Sequence, residues 1–191
     1  MDVSKALNLA IEAHKDQTRK FTGAPYVTHP IEVALITAQV FAEKAGQPEA
    51  YEDLVSTALL HDVLEDCPNV TYEDIVRVTN EEVAKNVKLL TKPSKQWPAL
   101  DRPLKLQIDL MHYKKLNGPL QNLKAIDRVC NLRDALKGDY QFRARYYYES
   151  VVLQSSLAMY PCTHTLFNKA LKDLQESIQG DVPEDILSTL K

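Results

Sequence analysis

The sequence feature that most constrains the fold is a run of ionisable residues at the end of an apolar segment. The run His61-Asp62-Val63-Leu64-Glu65-Asp66 directly follows Thr57-Ala58-Leu59-Leu60, which ends an apolar helical pattern. A buried charge must be paired or must bind a metal, because leaving water is costly for an ion. Imidazole and carboxylate groups are common ligands of divalent transition metals. The run therefore predicts a metal site whose remaining ligands lie elsewhere in the chain.

Length and composition favour one domain, residues 1–191, with a substantial apolar core. The chain has 191 residues, of which 45% are apolar and 26% charged. The net charge of −3 differs from the basic balance of general nucleic-acid binders, so we expect no nucleic-acid partner. We expect no membrane association either, because no stretch approaches the roughly 20 apolar residues of a membrane span.

The cysteines and the N-terminal segment favour a cytoplasmic location. Cys67, Cys130 and Cys162 are scattered and show no CxxC spacing, so they predict neither a disulfide framework nor a structural zinc site. The first 15 residues mix acidic and basic side chains within a helical pattern and have no long apolar region of the signal-peptide type.

Helical periodicity runs through nearly the whole chain and predicts an all-α fold without strands. Capping signals at Thr71 and Asn80 each predict a helix start, and residues 93–103, with the single Trp97, predict a loop. Apolar spacing and the positions of Pro and Gly predict the remaining helices at about residues 1–17, 30–45, 48–64, 104–116, 119–136, 143–160, 163–178 and 183–190.

His29 and Asp127 are the candidates for the missing ligands. His29 stands between a loop and Pro30 at a predicted helix start, where its limited freedom suits a ligand, although a capping or core histidine is the alternative. Asp127 shares a helix face with Asn131, and Lys124 lies one turn earlier. The alternative for this face is a ladder of surface ion pairs, which stabilise a fold little.

The spacing within the first run separates two roles. In a continuous helix, His61 and Glu65 form one row along the surface, and Asp62 and Asp66 form the neighbouring row. The first residue of each row then reaches a common ion. The second lies a turn away, where it can act on water or substrate. The alternative for the second pair is a charged helix end in solvent.

Four ordered blocks of residues resemble those of HD-domain phosphohydrolases. More narrowly, they resemble the hydrolase domain of RelA/SpoT proteins and the stand-alone small alarmone hydrolases. The resemblance covers roughly residues 5–155 and leaves the helices of residues 156–191 outside it. The blocks are Ala13-His14-Lys15-Asp16-Gln17-Thr18-Arg19-Lys20, Pro25-Tyr26-Val27-Thr28-His29-Pro30, Ala58-Leu59-Leu60-His61-Asp62-Val63-Leu64-Glu65-Asp66 and Lys124-Ala125-Ile126-Asp127-Arg128-Val129-Cys130-Asn131-Leu132-Arg133.

The resemblance implies a single HD-domain helical bundle that hydrolyses the 3′-pyrophosphate of ppGpp or pppGpp, usually with Mn²⁺. By position it implies metal ligation by His29, His61, Asp62 and Asp127, and activation of water by Glu65 and Asp66. It also implies nucleotide contacts from Arg19, Lys20, Lys92, Asn131, Arg143 and Tyr147. The ligand types alone also suit Fe²⁺ or Zn²⁺. The chain could also form a homo-oligomer.

Departures from the family pattern leave the substrate open. Ala125-Ile126 stands where relatives often have Leu-Ala, Cys130 where they often have His or Tyr, and residues 92–119 show little similarity. One alternative is an HD enzyme acting on an adenosine alarmone, a nucleoside phosphate or NADPH. The other is a non-catalytic nucleotide-binding protein on the same scaffold. The chain is too short for the synthetase and regulatory domains of long RelA/SpoT proteins, which predicts degradation of the alarmone without synthesis.

Overall fold

The computed structural model describes residues 3–42 and 47–178, and these fall into two compact units divided after Lys92. In this part of the chain the regular structure is helical, apart from an isolated bridge between Thr18 and Pro25. The predicted all-α fold class is therefore confirmed. Over the same residues, no helix combines the length and apolar character needed to cross a membrane.

The first unit is built around a central helix. Its helices are α1 (Val3–Ala13), α2 (Thr28–Phe41), α3 (Pro48–Leu60), α4 (Val63–Asp66), α5 (Tyr72–Val78) and α6 (Glu81–Leu90). The α3 helix packs against α1, α2 and α6, and its last three residues, Ala58, Leu59 and Leu60, are buried. The burial of this segment confirms that the run from His61 to Asp66 follows directly from the core.

The two predicted helix caps in this unit are confirmed. The Thr71 hydroxyl accepts a hydrogen bond from the backbone N–H of Asp74, whose carboxylate in turn accepts from the Thr71 backbone N–H. The Asn80 side chain accepts from the N–H of Val83. Each cap satisfies a backbone donor that the first turn of a helix leaves without an intrahelical partner.

The prediction of one continuous helix over residues 48–64 is wrong. The α3 helix ends at Leu60, and Asp62, with φ −100° and ψ −8°, lies in a turn before α4. The turn keeps local bonding, because the Glu65 and Asp66 N–H groups both donate to the Asp62 carbonyl. Side-chain contacts of Asp62 with another helix, described below, explain why tertiary structure outweighs the periodicity here.

The bounds of the first two predicted helices also change. The α1 helix ends at Ala13, several residues early, because the chain turns there into the loop bridged by Thr18 and Pro25. Within that loop Gly23 has φ +68°, a left-handed conformation that glycine adopts without steric cost. The α2 helix begins at Thr28, two residues before the predicted start at Pro30, and the predicted end near residue 45 lies outside the described residues.

The second unit packs around α8. It begins with a 3₁₀ turn (Pro93–Gln96) inside the predicted loop, followed by α7 (Arg102–Tyr113), α8 (Gly118–Ala135), α9 (Tyr140–Gln154) and α10 (Pro161–Glu176). Both α9 and α10 pack against α8. The α10 side chains Phe167, Leu171 and Leu174 are buried, so this helix covers the core of its unit. The predicted helix at residues 183–190 lies outside the described residues.

Candidate active site

Three candidate metal ligands meet in the first unit. His29 lies in the first turn of α2, and His61 and Asp62 form the turn between α3 and α4. The Asp62 Oδ2 lies 3.2 Å from His61 Nε2 and 3.6 Å from His29 Nε2. The two imidazole rings are 5.3 Å apart, and all three residues are buried. Two imidazoles and a carboxylate form a donor set that fits a divalent transition metal.

The orientation of His61 is fixed by the backbone. Its Nδ1 lies 2.8 Å from the carbonyl oxygen of Ala58, one turn earlier. Because a carbonyl oxygen only accepts, Nδ1 carries the hydrogen, so in the neutral form of the ring Nε2 keeps the lone pair that a metal ion would accept. This arrangement is typical of a metal-binding histidine, whose other ring nitrogen is held by a backbone or carboxylate oxygen.

Tyr26 supports the cluster, and the sequence analysis assigned it no role. Its hydroxyl donates to Asp62 Oδ2 at 2.6 Å, and its ring lies 5.7 Å from that of His29. Its position in the block that contains His29 was the signal that sequence reasoning left unused. The hydroxyl fixes the rotamer of a carboxylate that lies between the two histidines.

We expect Tyr26→Phe to weaken metal binding and to leave the fold intact. The change removes one hydroxyl and keeps the ring contact with His29. Loss of a group that holds a metal ligand typically lowers metal affinity or activity by about 10- to 100-fold. Titration with Mn²⁺ followed by electron paramagnetic resonance measures the affinity. Tyr51→Phe, which removes a hydroxyl bonded to the carbonyl of Ala38, is the control, and equal Mn²⁺ affinities in the two variants would contradict the assignment.

The Glu65 carboxylate accepts hydrogen bonds from both the side chain and the backbone of Lys92. The Lys92 ammonium lies 2.6 Å from Glu65 Oε1, and the Lys92 backbone N–H donates to Oε2 at 3.2 Å. The Glu65 side chain is only 3% exposed, whereas that of Lys92 is 40% exposed. The lysine predicted to contact phosphate therefore also holds a predicted catalytic carboxylate.

Two other predicted residues of this unit, Arg19 and Lys20, lie in the loop after α1. Arg19 is buried, and its guanidinium lies 3.7 Å from Glu32 on α2. Lys20 is exposed, with its ammonium 5.1 Å from the ring centre of Phe21. Arg19 is thus held in place, whereas Lys20 lies on the surface. Their predicted nucleotide contacts stay a prediction.

In the second unit, Asp127 belongs to a buried polar group on α8. The Lys124 ammonium donates to Asp127 Oδ2 at 2.8 Å, and the Asn131 amide donates to Oδ1 at 2.6 Å. The Lys124 and Asp127 side chains are only 7% and 8% exposed. Lys124 also lies over the Tyr113 ring, 5.1 Å from its centre. The alternative of a surface ion-pair ladder is therefore wrong for this face.

We expect Lys124→Met to destabilise the protein by about 3 kcal/mol, because breaking one side of a buried ion pair leaves an uncompensated charge. Methionine retains much of the length that packs on Tyr113, so the loss reports the charge. Urea unfolding at pH 7 in the absence of metal measures the effect. Lys137→Met, at an exposed lysine 4.0 Å from Asp134, is the matched control. An equally small change in both variants would contradict the prediction.

The last two predicted nucleotide contacts lie on α9. The Arg143 guanidinium donates to the carbonyl of Gly138 at 2.8 Å, so it caps the segment that follows α8. Tyr147 packs edge-on against Tyr148, with ring centres 5.3 Å apart. Burial raises the pKa of the Tyr147 phenol, with a further contribution from Tyr148. Arg143 could therefore offer a ligand a cationic group, and Tyr147 a phenol ring with its hydroxyl.

Comparison with known proteins identifies the family. The family model described as the HD domain matches residues 6–150. This chain belongs to the HD domain family. The His61-Asp62 pair of this HD domain is part of the buried cluster described above.

Curated relatives of this HD domain include both long and short proteins. The chain is 41% identical over 91 residues to the bifunctional (p)ppGpp synthase/hydrolase SpoT of Escherichia coli (strain K12), and the match covers 48% of this chain and 12% of SpoT. It is 32% identical over 131 residues to guanosine-3′,5′-bis(diphosphate) 3′-pyrophosphohydrolase MESH1 of Danio rerio, covering 68% of this chain and 67% of MESH1. The chain thus matches a small part of SpoT and two thirds of MESH1. These matches confirm the predicted resemblance to the RelA/SpoT hydrolase domain and the short hydrolases.

A solved structure supports the same fold. The structure described as "A metazoan ortholog of SpoT hydrolyzes ppGpp and plays a role in starvation responses" aligns with 90% of this chain and 94% of its own length. The TM-score is 0.75 and the sequence identity 23%. At that identity the likeness establishes the helical HD-domain fold alone.

Proposed function

We propose that this protein is a metal-dependent hydrolase that removes the 3′-pyrophosphate of (p)ppGpp, giving GDP or GTP and pyrophosphate. The observation that carries the proposal is the buried cluster of His29, His61 and Asp62 in a chain of the HD domain family. The names of SpoT and MESH1 support the choice of substrate, since both include hydrolysis of a guanosine alarmone.

The metal ligands in this proposal are His29, His61 and Asp62, with Asp127 of the second unit as the fourth. The fixed hydrogen on His61 Nδ1 and the Tyr26 bond to Asp62 support a preorganised site. When bound, a divalent cation supplies Lewis acidity and neutralises negative charge on phosphoryl oxygens. We propose Mn²⁺ as that cation, although the His and Asp donor types also suit Fe²⁺ or Zn²⁺.

The remaining residues of the proposal act on water and substrate. Glu65 and Asp66 orient the attacking water and accept its proton, while Lys92 keeps the Glu65 carboxylate fixed. The nucleotide is contacted by six side chains, those of Arg19, Lys20, Lys92, Asn131, Arg143 and Tyr147. Phosphoryl transfer depends mainly on positioning and on stabilisation of charge, so cationic side chains beside a metal are suited to this reaction.

Three broader properties belong to the same proposal. We place the protein in the cytoplasm, which is supported by the lack of a disulfide bond at Cys67, Cys130 and Cys162 in the described structure. We take residues 1–191 as one functional HD hydrolase domain, which is supported by a family match that extends across residues 6–150. We expect a small nucleotide as the partner, and light scattering decides whether the chain forms a homo-oligomer.

Product analysis tests the proposed function. Purified protein is incubated with Mn²⁺ and, separately, with ppGpp, pppGpp, an adenosine alarmone, nucleoside triphosphates and NADPH, and products are identified by phosphorus NMR. Pyrophosphate from ppGpp is the expected result. Turnover of another nucleotide with ppGpp left intact would show that ppGpp is the wrong substrate. Nucleotide binding without turnover would show that the protein is a non-catalytic binder. Repeating the assay with Fe²⁺ and Zn²⁺ identifies the metal.

A further inference from the structure

One glutamine side chain in the first unit connects the end of α4 with the turn that follows α1. Gln17 lies in the loop after α1 and belongs to the first sequence block, yet it received no role in the proposed function. Its amide nitrogen donates to the Asp66 carbonyl at 2.9 Å. Its amide oxygen lies 2.8 Å from His14 Nδ1. The two ends of one side chain thus contact Asp66 at the end of α4 and His14, which directly follows α1.

The directions of these hydrogen bonds are fixed by the acceptor at one end. Because the Asp66 carbonyl oxygen only accepts, the end of Gln17 that faces it is the NH₂ group. The other end is the amide oxygen, which also only accepts, so His14 Nδ1 carries a hydrogen. His14 is 1% exposed, and these bonds therefore hold a buried ring in one orientation.

His14 extends the link toward the metal ligands. Its ring lies 4.8 Å from that of Tyr26, and the Tyr26 hydroxyl donates to Asp62 Oδ2. Cys67 lies beside the same ring, with Sγ 3.4 Å from His14 Nδ1. Burial, followed by the charge of Asp66, raises the pKa of the Cys67 thiol.

We propose that Gln17 is a positioning residue that fixes the end of α4, and with it Asp66, against the loop after α1. The inference rests on the proposed function for the role of Asp66. The α4 helix has only four residues, so its own hydrogen bonds hold it weakly. The Gln17 bond, which joins residues 49 positions apart, supplies a restraint that such a short helix lacks.

The matched variants are Gln17→Met and Asp16→Asn. Methionine keeps the length of Gln17 and removes its amide contacts with His14, Asp66 and Cys67, whereas Asp16 is the exposed neighbour. In Gln17→Met we expect kcat for ppGpp to fall about tenfold at saturating Mn²⁺, within the range for loss of a supporting contact. We expect KM and Mn²⁺ affinity to change by less than about threefold, which is small beside the loss of a supporting contact. The reason is that Gln17 donates to the Asp66 backbone and not to a proposed metal ligand. Asp16→Asn leaves all three quantities unchanged.

A second variant separates the contact of Gln17 with His14 from its contact with Asp66. Gln17→Glu at pH 8 keeps an acceptor for His14 but turns an ionised carboxylate toward the Asp66 carbonyl. We expect this variant to lose as much kcat as Gln17→Met. Wild-type kcat in either variant, or a loss confined to KM, would overturn the inference.

Hydrogen exchange without substrate keeps this test independent of the proposed function. We expect faster exchange of the peptide covering residues 63–67 in Gln17→Met than in the wild type or in Asp16→Asn. Unchanged exchange in Gln17→Met, with its circular dichroism also unchanged, would overturn the positioning role. A wild-type protein that leaves ppGpp intact would instead overturn the proposed function, while the exchange result still decides the role of Gln17.

Discussion

Replacing Asp62 with alanine is expected to abolish hydrolysis and metal retention together. The Asp62 carboxylate lies within 3.2 Å of His61 Nε2 and 3.6 Å of His29 Nε2, so its removal takes away the anionic donor between two imidazoles. Metal-ion catalysis contributes several kcal/mol to transition-state stabilisation. A loss of about 4 kcal/mol corresponds to roughly 1000-fold in kcat/KM, so we expect at least that decrease.

The measurements for Asp62→Ala are bound Mn²⁺ per chain after gel filtration and the rate of pyrophosphate release from ppGpp. Asp16→Ala, at an exposed aspartate of the same unit, serves as the control and is expected to keep both properties. Wild-type rates in Asp62→Ala would contradict the metal assignment. Retained metal with lost activity would move Asp62 from metal ligand to another role in the site.

Replacing Glu65 with glutamine is expected to lower kcat by about 10²- to 10⁴-fold, the usual contribution of a general acid or base. Glutamine keeps the shape of the side chain, and its amide oxygen still accepts from the Lys92 N–H that now donates to Glu65 Oε2. It cannot accept the proton of an attacking water. The proposed metal ligands are unchanged, so Mn²⁺ affinity is expected to stay within about threefold of the wild type, well below the effect of losing a contact to a ligand.

Parallel Mn²⁺ titrations and ppGpp kinetics distinguish this outcome from the loss of metal in Asp62→Ala. Glu73→Gln, at an exposed glutamate of α5, is the matched control for the loss of one carboxylate. Full activity in Glu65→Gln would contradict its role in proton transfer. Loss of Mn²⁺ binding in that variant would instead make Glu65 a ligand.

The parts of the fold that were correctly predicted depend on neighbours within a helical turn. The caps at Thr71 and Asn80 formed as expected, because each side chain bonds a backbone N–H three residues later. Apolar periodicity also predicted the all-α class. The continuous helix through His61 and Asp62 was the clearest error. There, contacts of Asp62 with Tyr26 and His29 compete with the helical pattern, and a local pattern does not contain them.

The environment of Asp127 shows the same limit. Its spacing from Lys124 and Asn131 correctly predicted that the three side chains share a face, and the structure joins them by hydrogen bonds. Spacing did not establish whether that face is exposed to solvent or buried. Packing of α9 and α10 around α8 belongs to the tertiary structure, as does the burial of the ion pair.

The sequence by itself determined the helical class and the side chains of the run from His61 to Asp66, whose imidazole and carboxylate groups suit metal-assisted chemistry, because residue type and spacing act locally. It also provided the blocks that connect the chain with the HD domain family. Only the tertiary structure decided which distant side chains support that chemistry. The bonds from Lys92 to Glu65, Tyr26 to Asp62 and Gln17 to Asp66 join residues 27, 36 and 49 positions apart. Such pairs form because helices pack in three dimensions, and a periodic pattern along the chain does not specify them.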